Sequence, residues 1–187
     1  MYGSSTNGIA SALNLSKEEA ERLIQLYFKT YPKIEEYVQN SHRMALWNRF
    51  VVTPFGQRKQ EYGAHKVFKS TAAYNAAMRN AQNVRVQSTT STLGLVVFSN
   101  LNEAIKKIGG KSICTVYDSI EMEVPIAKAA EAIETAFYYM DEWPVQNFDF
   151  LDLPIGVEGE VGTSWGNLET VHRGVTQAEI ENMIAAL

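Results

Sequence analysis

Apolar side chains recur at three- and four-residue intervals at Ala20, Leu23, Ile24, Tyr27 and Phe28, just after a Ser16/Glu19 capping box. That spacing predicts a helix from about Lys17 to Thr30. Pro32 opens a second helix, with Ile34, Tyr37, Val38 and Ala45 on one face, reaching about Asn48. Aromatic residues along both stripes are assigned to the core. The pattern then shortens: Phe50–Thr53, the turn residues Pro54-Phe55-Gly56-Gln57 and a basic Arg58-Lys59 step predict a strand, a turn and a second strand. Beyond Gly63 helical spacing returns, around Thr71 to Ala81 and then on to Lys107. Val86, Leu93, Val97, Leu101, Ile105 and Ile108 form the later apolar face, and Gly109-Gly110 stops it.

From Lys111 to Pro125 the period drops to two. β-Favouring residues flank an Asp118-Ser119 step, and Ile120, Met122 and Val124 alternate, which predicts a hairpin with Asp118 at its tip. Ala129, Ile133, Ala136, Phe137 and Met140 predict a helix ending near Asp141 to Pro144. Leu153 to Gly162 is expected as a strand beside the hairpin, and Thr176 with Glu179 caps a last helix through Ile180, Met183, Ile184 and Leu187. The opening Tyr2–Gly8 is expected as a loop. The fold class expected is α+β: helices packed on a small antiparallel sheet.

Composition narrows the field. The 187 residues suffice for one domain with a core, and 45% hydrophobic with 20% charged residues excludes a disordered or fibrous chain. A single cysteine, Cys114, offers no disulfide framework, and no apolar run reaches the roughly 18 residues of a membrane span. A soluble, cytoplasmic protein with no membrane partner is the expectation. The formal net charge of -4 argues against a dedicated electrostatic binder of nucleic acid. The charge is unevenly spread, however. Arg43, Arg49, Arg58, Lys59, Lys66 and Lys69 face one acid, Glu61, before Arg79 and Arg85 follow, whereas acids collect after Glu121.

Two features carry candidate chemistry. A carboxylate on a hairpin tip, as at Asp118, suits a metal ion or a phosphate-transfer site, although Asp and Ser also favour ordinary turns. Arg79, Asn83 and Gln87, spaced by four on one helix, would form a ladder of hydrogen-bonding side chains. Such a ladder is either a plain polar face or a grip on the duplex minor groove, which offers acceptors at every base pair whatever the sequence. Arg58 at its strand start suits a phosphate contact. His42, His65 and His172 show no ligand spacing and are expected on the surface. Glu121 and Glu123 alternate with apolar residues and are expected to form the polar face of their strand. An unrelated metal-dependent phosphatase or nuclease using Asp118 would need further ligands clustered with it.

Four pieces, taken in order, resemble the C-terminal part of family A DNA polymerases. Tyr2-Gly3 with Gly8 is similar to the end of that family's nucleotide-binding fingers helix. Arg79, Asn83 and Gln87 match the helix that holds primer and template. Val116-Tyr117-Asp118-Ser119 resembles the palm hairpin, usually Val-His-Asp-Glu, and Pro154 to Trp165 resembles the closing strand. The resemblance covers the chain to about Trp165. It implies a palm and part-fingers region over residues 1–169, with a helical extension over 170–187. It also implies template-directed addition of deoxynucleotides to a primer 3′ end by two-metal-ion phosphoryl transfer, with primed duplex DNA and dNTP as partners and two Mg2+ as cofactors. Asp118 would be the catalytic carboxylate and metal ligand. Tyr2 and Gly3 would lie at the nucleotide and template base, and Arg79, Asn83, Gln87, Tyr117 and Arg58 would contact DNA.

Tyr117 replaces the family's usual His, and Ser119 its usual Glu. The family's other metal-binding Asp and its triphosphate-gripping Arg and Lys lie upstream of Tyr2. The resemblance thus implies a C-terminal fragment, of phage type or split or cut short, that cannot polymerise alone and needs an N-terminal half. The alternative is a non-catalytic duplex DNA-binding remnant or accessory module. A palm lacking its other half should expose sheet edge and apolar surface and self-associate through it. Light scattering at micromolar concentration is expected to show oligomers, and a clean monomer would contradict this.

Overall fold

In the computed structural model, which describes residues 5–60 and 70–187, two units are distinguished, one ending at Thr89 and the other spanning Thr90–Leu187. The first begins with a helix the hydrophobic pattern does not reveal. Ser5 accepts a hydrogen bond from the Gly8 amide at 3.2 Å and caps α1 (Thr6–Leu13), so the expected loop gives way to helix by Thr6. The cap offsets the helix cost of Gly8. α2 (Lys17–Thr30) carries the predicted capping box, with Glu19 accepting from the Ser16 amide at 2.8 Å. Pro32 stands in the first turn of α3 (Pro32–Asn48).

β1 (Phe50–Val52) and β2 (Arg58–Gln60) pair antiparallel, Val52 opposite Arg58, around a turn in which Gly56 takes φ 75°. The two helical stretches expected after Gly63 are one 37-residue helix, α4 (Thr71–Lys107). Ala77, Met78 and Ala81 of α4 pack with Ala45 of α3 and the fully buried Val51 of β1. Burying a valine side chain contributes about 1.5–3 kcal/mol.

Beside this small core runs a polar seam. The Tyr37 hydroxyl donates to the Gln82 carbonyl at 2.7 Å, and His42 Nε2 lies 3.2 Å from Gln82 Oε1. Arg85 donates from Nε to the Val52 carbonyl at 2.7 Å and from a terminal nitrogen to Ser41 Oγ at 3.4 Å, its guanidinium 5.1 Å from the Tyr37 ring centre. His42 is therefore half-buried rather than on the surface, and Arg85 is spent on packing rather than on a basic face.

In the second unit the end of α4 supplies Leu101 and Ile105, which pack with Ala132 and Ala136 and with Ile120, Met122 and Val124 of a hairpin. That hairpin is β3 (Lys111–Val116) and β4 (Ser119–Glu123), antiparallel with a bulge between Ser112 and Cys114. Gly109 (φ 84°) and Gly110 turn the chain from α4 into β3. A Cβ at Gly110 would stand 2.6 Å from Val124 and 2.7 Å from Ile105, so only glycine fits there. A 3-10 turn, Ile126–Lys128, leads into α5 (Ala129–Phe137). The helix expected to stop near Pro144 instead passes through a π-helical turn, Tyr138–Glu142, into α6 (Trp143–Asn147), where Pro144 occupies the first turn and needs no amide partner.

The strand expected over Leu153–Gly162 begins only at Gly159. β5 (Gly159–Ser164) pairs with β6 (Asn167–Val171) and not with the β3–β4 hairpin, so the described residues hold three two-stranded antiparallel sheets. Pro154 has no N–H to donate, Gly156 takes φ 76°, and the Gly156 amide donates to Asp141 at 2.9 Å, so that stretch is fixed without a ladder. The last helix is α7 (Gln177–Ala186). It docks on its own unit: Ile180 is fully buried, and Gln177 bridges the Ile126 carbonyl (2.6 Å) and the Ala130 amide (3.2 Å). Mixed helices and small antiparallel sheets make the fold α+β.

Burial pushes the His42 pKa below the ordinary histidine value, against the opposing bonds to Gln82 and the Met78 carbonyl. The unfolded chain then takes up the proton first. This contribution to stability is full above the ordinary histidine pKa and is lost as pH falls toward the depressed folded-state value. His42→Gln is expected to flatten the urea midpoint in that window, and the His42 ring resonance should titrate below the ordinary histidine pKa.

Candidate nucleic-acid-binding face and carboxylate hairpin

A residue of an α-helix turns by about 100° relative to the one before it, so Arg79, Asn83 and Gln87 share one face of α4. Arg79 and Gln87 are exposed and Asn83 is half-buried, already engaged in a contact within the chain. No acidic residue stands between Glu61 and Glu103, so the first carboxylate on α4 is Glu103, 24 residues beyond Arg79. The exposed Arg79 guanidinium and Gln87 amide on this face can donate to phosphate or base-edge acceptors, with Asn83 half-buried between them. On the β1–β2 hairpin of the same unit, the Arg58 guanidinium lies 5.0 Å from the Phe50 ring centre. That cation–π contact holds an exposed charge in place without an acid partner among the described residues.

Asp118 belongs to the second unit. Val116 and Ser119 are partners in the ladder, so the loop is the two residues Tyr117-Asp118, one position earlier than the Asp118-Ser119 step of the sequence pattern. Tyr117 has φ 57°, a left-handed conformation that two-residue hairpin loops reserve mainly for glycine, asparagine and aspartate. Its ring is fully exposed at 102%. Below the tip, Ser119 Oγ donates to the Val116 carbonyl at 3.1 Å and lies 3.0 Å from Glu121 Oε1, and Lys111 pairs with Glu123 at 2.8 Å at the other end. Asp118 itself is exposed, with no hydrogen bond or ion pair among the described residues.

The structure thus brings Arg79, Asn83 and Gln87 together on one face and sets Tyr117 beside Asp118. Arg58 and the ladder belong to one unit and the Asp118 hairpin to the other. Tyr2 and Gly3 lie outside the described residues. Among those described, no three His, Cys, Asp or Glu gather as a metal site, so the hairpin offers one carboxylate ligand and not a complete set. Sequence reasoning missed the seam residues Gln82 and Arg85. Their spacing from Met78, four and then three residues, was the available signal, because it places all three on the packed face.

Asparagine tolerates the left-handed region better than tyrosine, and the Tyr117 ring packs on nothing it would forfeit. Tyr117→Asn is expected to raise stability by about 1 kcal/mol in denaturant titration, the low end of the strain of a left-handed non-glycine residue. A loss of stability would mean that the ring is held in the native state.

The sequence profile of DNA polymerase family A matches residues 1–167. The thermostable DNA polymerase I of Thermus filiformis is 29% identical over 165 residues, 88% of this chain and 19% of its own length. A DNA polymerase of Bacillus phage SP01 is 28% identical over 177 residues, 89% of this chain and 19% of its own. The chain therefore spans about a fifth of these relatives. Among solved structures, the POL domain of Pol1 from M. smegmatis, in complex with DNA primer-template and dNTP, superposes with a TM-score of 0.72 at 25% identity. That match covers 83% of this chain and 26% of that one. The family match runs through both the Arg79 ladder and the Asp118 hairpin, and the chain belongs to DNA polymerase family A.

Proposed function

We propose that this chain is the C-terminal palm and part-fingers portion of a DNA-directed DNA polymerase, with residues 170–187 as a helical extension, and that it works only with an N-terminal half. In this reading Asp118 would be a Mg2+ ligand, and Arg79, Asn83 and Gln87 hold primer and template. Arg58 and Tyr117 add contacts to DNA, and Tyr2 and Gly3 lie at the incoming nucleotide. The observation that carries it is the Asp118 carboxylate, exposed and uncommitted on a two-residue tip, within a chain matched by the family profile to residue 167.

The donor chemistry suits the ion in part. Magnesium takes oxygen ligands and keeps several waters, so one exposed carboxylate is a fitting contribution, provided the rest of the polymerase and the substrate phosphates supply the remainder. When bound, the ions would stabilise the attacking and leaving oxygens of phosphoryl transfer. The chain's own task is to hold that carboxylate still and to bind the duplex. Support for primed DNA and dNTP as partners comes from the M. smegmatis relative, which is complexed with both.

The test mixes this chain with a separately expressed N-terminal half of a similar polymerase and follows primer extension with magnesium and dNTP. Extension is expected only in the mixture. Asp118→Ala should lower it by at least about 100-fold, the scale of a lost transition-state charge stabiliser. Extension by this chain alone, free of contaminating polymerase, would refute the need for a partner. Salt-sensitive binding of primed duplex without extension would replace the reading with a non-catalytic DNA-binding module.

A further inference from the structure

Arg79 and Gln87 are exposed and Asn83 is half-buried, whereas the buried core contacts of α4 in the first unit come from the opposite side of the helix. At about 100° per residue, Ala77, Met78, Ala81, Gln82 and Arg85 centre roughly 180° from Arg79, Asn83 and Gln87. The fully buried apolar residues of this packing are mostly alanine: Ala77 and Ala81 pack with Ala45 of α3, Met78 and Val51, with Met44, Leu46 and Val84 partly buried around them. Alanine surfaces allow close approach, but they carry low ridges that interdigitate weakly and fix rotation poorly. What is directional is the polar seam. Tyr37 donates to the Gln82 carbonyl at 2.7 Å, His42 meets the Gln82 side chain at 3.2 Å, and Arg85 donates to the Val52 carbonyl at 2.7 Å while stacking on Tyr37. Gln82 is 7% exposed, so a slip of the helix would strand its buried polar groups.

We propose that Gln82 and Arg85 are positioning residues for duplex binding: by tying α4 to α3 and β1 they fix the rotation that turns Arg79, Asn83 and Gln87 outward. This rests on the reading of that ladder as a duplex-binding face. A one-residue error of rotation, about 100°, would carry at least one ladder side chain out of reach of the groove. Arg85 thereby serves DNA affinity without touching DNA. Lysine cannot replace it, because an ammonium lacks the planar fork that reaches a carbonyl and a hydroxyl while lying on a ring.

Anisotropy titration of a primed duplex over a range of salt tests this, using the wild-type chain, Arg79→Ala, Gln87→Ala, Arg85→Lys and Arg85→Met, at a temperature where urea titration shows each variant folded. Arg79→Ala, a direct contact, should weaken binding and lower the slope of log affinity against log salt by about one. Arg85→Lys, although it keeps the charge, should weaken binding at least about fivefold with the wild-type slope. In its background Gln87→Ala should cost clearly less than in wild type, a coupling that mere loss of stability would not produce. Wild-type affinity for Arg85→Lys, or a slope lowered by about one in Arg85→Met, would overturn the proposal and make Arg85 either dispensable or a phosphate contact. Should the Arg85 variants not fold, Tyr37→Phe removes one hydroxyl alone and should weaken binding about twofold or more at unchanged slope; wild-type affinity there also overturns it. A wild-type chain that binds no duplex would instead sink the duplex-binding reading itself, and the positioning role with it.

Discussion

A half-buried guanidinium must find acceptors, and the way Arg85 does so governs the first unit. No carboxylate pairs with it among the described residues. Its charge is met by a backbone carbonyl at the end of β1, a serine hydroxyl of α3 and the face of Tyr37. Each partner comes from a different position in the chain, so satisfying one cation joins α3, β1 and α4 at a point where the surrounding apolar contacts are small. The carbonyl it uses, that of Val52, closes β1, whose Val51 is the buried strand residue of that core. Losing the cation would unpair both a polar seam and a strand end.

The second unit is held differently. Its core is aliphatic and continuous from Leu101 and Ile105 through the hairpin to Ala132 and Ala136, and glycine is required where α4 meets β3 because Val124 and Ile105 occupy the space of a side chain. The last helix closes over the same unit through Gln177. Arg173 adds contacts to Glu134 and Glu142, joining α5 and the π-helical turn that follows it to the chain just before α7. These exposed pairs each contribute about 0–1 kcal/mol, so the apolar contacts around Ile180 decide that the tail is docked.

How much of this was legible depended on whether a signal was local. The capping boxes at Ser16 and Thr176, the proline opening α3 and the alternation of Ile120, Met122 and Val124 are local, and each gave its element. The cap at Ser5 was hidden by neighbouring Thr, Asn and Gly, which read as loop. Pro144 looked like a stop because a π-helical turn before it cannot be inferred from spacing. The pairing of β5 with β6 turns on a two-residue loop at Trp165-Gly166, too short to stand out. Charge misled most: Arg85 and His42 resemble surface residues until the face of the helix they share with Met78 and Ala81, or that they meet across the seam, is taken into account. Spacing alone read Arg79, Asn83 and Gln87 equally as a plain polar face and Asp118 as an ordinary turn; it was the family resemblance that singled them out.

The loop at Tyr117-Asp118 has no spare length. With ladder partners immediately before and after it, Asp118 has little freedom beyond rotation about its two side-chain bonds. A carboxylate mounted so stiffly forgoes searching: whatever it engages must be delivered to it, and the entropy of that encounter falls on the arriving species. The hairpin is in this respect an anvil and not a hand, and the moving parts of any reaction at its tip belong to other segments or to the ligand.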